Sequence, residues 1–238
     1  MEPAEQIDAA AARRRRRRRR TAPTPARMRF EAIHAEIRER ICLLHYPPGH
    51  TLSEAELARE FGISRTPIRR VLQRLEYEGL VESRHGIGTI VTLVDRQALT
   101  EIDSLRMKLA EISGEMTLLP LEDGIGRLER LFDRCGELRT RVDLDEFGRI
   151  NIAVQQEVSR SIGNVPLREV SDRLFFQTSR MWLQLLPRMD WAEEVAAFSS
   201  EITDLLQAAE VNDLPSLHFA RRNHISINRA RMKGYFGK

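Results

Sequence analysis

The 238-residue sequence predicts a mainly α fold in two parts: an N-terminal helical segment closed by a small two-stranded β element, and a longer all-helical C-terminal half. Three observations predict it. Apolar residues recur at three- and four-residue steps through most of the chain from Arg29 onward. The one segment that alternates instead, residues 80–94, carries a glycine-rich turn at its centre. Proline and glycine fall mostly between helical patterns rather than inside them. The length is comfortable for two domains, each burying its own core.

Taken in order, Phe30, Ile33, Ile37, Ile41 and Leu44 share one helix face, and Pro47-Pro48-Gly49 ends that helix. Ser53-Glu54-Ala55-Glu56 reads as a capping box. It opens a short helix that turns Leu57, Ala58 and Phe61 inward and stops at Gly62. Ser64 caps a third helix, whose first turn tolerates Pro67 because the N–H groups there have no intrahelical acceptor. Ile68, Val71, Leu72 and Leu75 form its apolar stripe, and Gly79 closes it. Two β-leaning runs follow, at 80–84 and 89–94, joined by His85-Gly86-Ile87-Gly88 as a hairpin turn. That order is the order of a winged helix-turn-helix. Beyond Asp95 the strand signals vanish, and periodicity marks helices at 95–118, 123–141, 143–162, 166–186, 191–209 and 214–233. Short breaks between them, the clearest at Gly163-Asn164-Val165-Pro166 and at Pro187, point to an antiparallel helical bundle.

The expected division is a disordered arginine-rich arm at 1–28, a winged helix-turn-helix at 29–94 and a helical domain at 95–238. Arg13 to Arg20 carry eight positive charges against a net charge of +3, so the rest of the chain sums to −5. A run of like charge repels itself and stays unfolded. Two readings of the arm stand: a segment that follows DNA phosphates, or a leader that precedes a true start at Met28. No stretch approaches the roughly 18 apolar residues of a membrane span, and no apolar segment follows the arginines as in a secretory signal. Cys42 and Cys135 lie far apart with no CxxC spacing, which fits neither a zinc site nor a disulfide framework. The expected location is the cytoplasm, at the nucleoid.

The third helix carries the chemistry. At 1.5 Å per residue it would be roughly 20 Å long, enough to lie in a major groove. Arg65 and Arg69 project from one face near its start, and Thr66 and Arg70 widen that face. A guanidinium bonds guanine O6 and N7 as a fork, while Ser64, Thr66 and the N-terminal N–H groups suit phosphates. The plainer alternative is a solvated charged face. The preceding turn, the capped start and the following hairpin favour the groove-docking reading.

Leu57-Ala58-Arg59-Glu60-Phe61-Gly62-Ile63-Ser64-Arg65-Thr66-Pro67-Ile68-Arg69, with Leu75-Glu76-Tyr77-Glu78-Gly79-Leu80-Val81, strongly resembles the winged helix of GntR-type bacterial regulators. The resemblance covers about residues 29–94. It implies that Arg65, Thr66 and Arg69 contact the operator major groove and that His85 and Gly86 at the wing tip enter the minor groove. The plainer reading of His85 is an exposed loop residue. Two departures stand out: Ala55 replaces an arginine common in the second helix, and Arg70 replaces the usual acidic residue.

The C-terminal half is similar to the FCD effector domain of one GntR branch. The similarity rests on Leu105-Arg106, on Gly163-Asn164-Val165-Pro166-Leu167, and on Leu205-Leu206 with Asp213 and Asn223-His224-Ile225. That resemblance implies a divalent metal held by an aspartate and three histidines. The corresponding residues here are Asn151, Gln155, Ile202 and His224. Amides are poor ligands and isoleucine is none, so no metal or other cofactor is expected. Asn151 and Gln155 share a helix face and suit hydrogen bonds to an organic effector, with Arg106 pairing with a carboxylate. His224 is counted with these three as an effector-binding residue; for Arg106 an inter-helix ion pair is the alternative, and for His224 a satisfied core or surface histidine.

The function expected is a sequence-specific regulator, acting as a repressor. A homodimer would place two recognition helices on a near-palindromic double-stranded operator, and a small-molecule effector in the bundle would shift the heads. No phosphate loop, nucleophile elbow, HExxH or CxxC supports an enzyme. The alternative is a winged-helix protein- or RNA-interaction module with a nonspecific basic tail.

Overall fold

A computed structural model describes residues 24–93 and 95–235. The arginine run lies outside the described residues. Helix α1 spans Pro25–Cys42 and begins before Arg29, where the apolar pattern starts. Thr24 caps it, its hydroxyl accepting from the Arg27 N–H, and Pro25 supplies the preset φ of a first helical residue. Strand β1 (Thr51–Leu52), α2 (Glu54–Glu60), α3 (Arg65–Tyr77), β2 (Val81–Arg84) and β3 (Gly88–Val91) complete the N-terminal unit. Ser53 caps α2 by accepting from the Glu56 N–H at 3.3 Å. Gly62 and Gly79 leave α2 and α3 at φ +62° and +77°, backbone that costs glycine little.

The wing has three strands rather than the expected two. The order is β1-β3-β2, all antiparallel, with Thr51 opposite Ile90 and Val81 opposite Val91. A two-residue strand is too short to show alternation, so the sequence pattern misses β1. Leu52, Ile68, Val71, Leu75, Leu80 and Val91 close the core beneath the wing.

Six helices follow: α4 (Arg96–Glu115), α5 (Gly124–Glu137), α6 (Leu144–Arg160), α7 (Val165–Leu185), α8 (Trp191–Glu210) and α9 (Leu214–Met232). Helix α4 packs on α7 and α9, α8 on α5 and α9, and α6 on α5 and α7. Phe147, Trp182 and Phe198 meet at ring separations of 4.8 to 5.6 Å at the centre of the bundle. Cys42 and Cys135 are both buried free thiols.

The α6–α7 break is held close to the chain leaving α4. The Gly163 N–H donates to the Thr117 carbonyl at 3.0 Å, and a β-carbon on Gly163 would stand 2.6 Å from that oxygen. Backbone cannot yield as a flexible side chain does. Gly163→Ala is therefore expected to cost about 1–3 kcal/mol. Denaturant unfolding checks this, and an unchanged midpoint would contradict it.

The two halves share one continuous apolar core. Helices α6 and α7 make the polar part of the junction, α6 through the His45–Asp145 and Arg149–Glu39 pairs. The Arg38 guanidinium lies 3.8 Å over the Phe176 ring, Gln177 Nε2 donates to the Glu78 carbonyl at 2.7 Å, and Arg180 Nη2 donates to Thr92 Oγ1 at 2.7 Å. Arg180 is fully buried, and its Nε and Nη1 have no hydrogen-bond partner among the described residues. Burial pushes that guanidinium below its usual range.

Candidate nucleic-acid interface and helical-domain cavities

Helix α3 is anchored from behind and free in front. Ile68, Val71, Leu72 and Leu75 are buried, while Ser64, Arg65, Thr66, Arg69 and Arg70 are exposed. At its far end the His34 ring donates to the Glu78 carboxylate at 2.9–3.0 Å, and Arg74 ties Glu78 to Glu31 of α1. Burial alone would raise the Glu78 carboxyl, but the His34 hydrogen bond and the charges of His34, Arg38 and Arg74 outweigh it and hold the group below its usual range. The helix cannot roll without breaking this cluster.

Along the outward face the arginines differ. Ser64 occupies the N-cap with extended backbone, but its hydroxyl makes no cap bond and is left for another partner. Arg65 has no ion-pair partner among the described residues. Arg69 forks onto Glu54 of α2, Nε to Oε1 at 2.9 Å and Nη2 to Oε2 at 2.8 Å. Arg70 leans toward α1, 5.7 Å from the Phe30 ring centre. His85 and Gly86 are exposed at the wing tip, with Gly86 at φ +76°. Beside them Ile87 is 60% exposed.

In the bundle, two small cavities flank a pair of buried guanidiniums. One, of about 40 Å³, is lined by Asp103, Arg106, Asn151, Thr178 and Arg221 among others. The other, of about 30 Å³, shares Arg106 and Arg221 and adds Gln155 and His218. Arg106 Nη1 donates to Asp103 Oδ1 at 2.9 Å and to Thr178 Oγ1 at 3.0 Å. Burial pushes the Arg106 guanidinium down, Asp103 partly offsets this, and the like charge of Arg221 adds to it. Arg221 pairs with buried Glu201 and donates to Gln155 Oε1 at 3.2 Å. Gln155 Nε2 in turn donates to Asp172 Oδ1 at 3.2 Å.

The structure brings Arg106, Asn151 and Gln155 together around these cavities. His224 stands apart: its Nε2 meets Asp204 Oδ2 at 2.7 Å, and it lines neither cavity. Asp103, His218 and Arg221 line these cavities, and Glu201 backs Arg221; sequence reasoning singled out none of the four. Arg221 did leave a signal, since it stands between Leu217 and Ile225 at four-residue steps, a charge on the inward stripe.

The metal site that the resemblance implies does not fit this donor set. Gln155 Oε1 already faces a guanidinium, Ile202 is fully buried, and His224 is committed to Asp204. Among the described residues no group of three or more His, Cys, Asp or Glu is placed to hold a metal ion.

With this geometry in hand, similarity to known proteins decides the family. The family model for bacterial regulatory proteins of the gntR family matches residues 30–91. An uncharacterized HTH-type transcriptional regulator in an unstable DNA locus of Streptomyces ambofaciens is 31% identical over 86% of this chain and 85% of its own length. The chain belongs to the GntR family of bacterial transcriptional regulators. Another relative of this GntR regulator, from Paenarthrobacter nicotinovorans, is named Probable D-xylose utilization operon transcriptional repressor; it is 24% identical over 79% of this chain and 84% of its own length. The fold matches the solved structure of E. coli McbR/YncC with a TM-score of 0.71 at 18% identity, covering 88% of this chain and 99% of the other. As in that structure, the winged helix of this GntR regulator is followed by helices. Among the described residues no helix is long and apolar enough to cross a membrane.

Proposed function

We propose that the chain is an operator-specific repressor that works as a homodimer and is released by a small carboxylate effector bound in an FCD-like helical domain. The observation that carries the proposal is the outward face of α3, where Ser64, Arg65, Thr66, Arg69 and Arg70 stand exposed over a buried apolar back. Arginine forks read guanine edges, the hydroxyls and helix N-terminus hold phosphates, and the wing tip at His85-Gly86 follows the neighbouring groove. A relative named as a repressor supports the sign of regulation.

Effector control follows from size and connectivity. Cavities of about 40 and 30 Å³ hold only a few waters. A metabolite therefore has to displace the Arg106 and Arg221 contacts to enter. A carboxylate suits those guanidiniums, with the Asn151 and Gln155 amides completing its hydrogen bonds. Arg106 holds Thr178 of α7, and the flanking Gln177 and Arg180 of the same helix grip the winged helix at Glu78 and Thr92. Helix α7 is the element that effector and operator would both bias. A coupling of about 1–3 kcal/mol is enough to change operator occupancy several-fold or more.

Selection from random duplex DNA, with and without a panel of mono- and dicarboxylates, tests the proposal. The expected result is a near-palindromic motif whose recovery falls with one class of acid. Binding that is equal on all duplexes, or stronger on RNA, would favour an interaction module with generic basic affinity instead.

A further inference from the structure

We infer that Glu54 is a positioning residue for Arg69, fixing one edge of its guanidinium so that the adjacent end-on edge is held out to a guanine. The inference rests on α3 being the groove-docking helix.

A guanidinium carries five N–H donors in a rigid plane. The Glu54 carboxylate accepts from Nε at 2.9 Å and from Nη2 at 2.8 Å, which engages one edge of that plane. The end-on fork of Nη1 and Nη2 stays free, and that pair of donors matches guanine O6 and N7. Glu54 opens α2, whose first turn is fixed by the Ser53 cap, so the carboxylate is itself on a rigid mount. Arg69 nevertheless remains 62% exposed, buttressed rather than buried.

Two consequences follow physically. An unrestrained arginine loses many rotamers when it binds, and a side chain already held in one geometry loses fewer. A lone carboxylate beside DNA would also repel phosphate. Here the Arg69 hydrogen bonds, with the charges of Arg69 and Arg65 behind them, hold the Glu54 carboxyl below its usual range and keep it paired. Glu54 therefore cancels one cation's generic attraction for the backbone while sharpening its aim at a base. Arg65 has no such mount among the described residues, and Arg70 is drawn toward Phe30. Discrimination should accordingly be steepest at the base pair Arg69 reads.

The test is selection on random duplex DNA with the full chain as wild type, Glu54→Ala, Glu54→Gln, Arg69→Ala and the Glu54→Ala/Arg69→Ala double variant. Circular dichroism and melting confirm that each is folded, and Glu54→Gln, which keeps the side chain's shape, decides if the alanine variant is not. The expected result is a loss of about tenfold in base preference at one pair per half-site for Glu54→Ala. Arg69→Ala should flatten the same pair, and the double variant should add nothing. Affinity for scrambled duplex should hold or rise. A wild-type preference profile in the Glu54 variants, or an even loss at every position, overturns the inference while leaving the groove-docking reading intact. If the wild type itself enriches no symmetric motif, that underlying reading falls and the inference with it.

Discussion

Arg69→Ala is expected to lower affinity for the selected operator by roughly 5- to 150-fold per half-site, the equivalent of about 1–3 kcal/mol for one bidentate base contact. Arg69 lies on the solvent face of α3, outside the apolar stripe, so truncation should leave the fold intact. The loss should be greatest at one base pair, and affinity for unrelated duplex should fall by less, with a smaller salt dependence, because Glu54 is left unpaired. Arg69→Lys should not rescue, because an ammonium cannot fork onto Glu54 and onto a base together. Titrations on matched and mismatched duplexes read both numbers. Equal loss on both would mean that Arg69 contributes phosphate affinity alone.

The second large effect is a weakening in acid that traces to one histidine. His218 is buried on α9, hydrogen-bonded to Ser161 Oγ at 2.8 Å, and burial pushes its pKa from 6.5 down to about 4. The folded protein therefore holds it neutral, while the unfolded chain takes up a proton near 6.5. A depressed folded value means stability that is complete above pH 6.5 and drains away as the pH falls toward about 4. The size of that loss is about 3 kcal/mol. Unfolding midpoints of wild type and His218→Asn, compared from pH 7 to pH 4, isolate it from the carboxylates that titrate in the same range. The wild type should lose markedly more than the variant. Parallel curves would show that His218 does not govern the acid limb.

Much of the fold was legible because it is written locally. Capping serines and aspartates, turn glycines and the three- and four-residue apolar rhythm placed every long helix to within a few residues. Ser53, Ser64 and Asp95 each stand at the N-cap where a start signal is expected. The start of α1 was missed for a local reason as well. Thr24-Pro25 is a start signal, but it precedes the first apolar residue of the pattern, Phe30. The faces of α3 were equally readable, since a 13-residue helix with four buried positions leaves little choice for the arginines.

Pairing across elements was not readable. Nothing in sequence spacing couples Glu54 to Arg69, Gln155 to Asp172, His224 to Asp204 or Arg106 to Thr178. These choices depend on how helices are juxtaposed, and a polar side chain has several admissible partners until the packing is fixed. For the same reason the grip of Gln177 and Arg180 on the winged helix, which gives α7 its place in the coupling, is a property of three-dimensional arrangement alone.

Methylation interference on the selected operator tests the central assignment most directly, since N7-methylguanine blocks the major-groove acceptor that an arginine fork requires. Methylation at guanines in two half-sites about one helical turn apart should abolish binding of the wild type, and Arg69→Ala should become indifferent to the same guanine in each half-site. Binding unaffected by methylation at every guanine would show that α3 does not read the major groove.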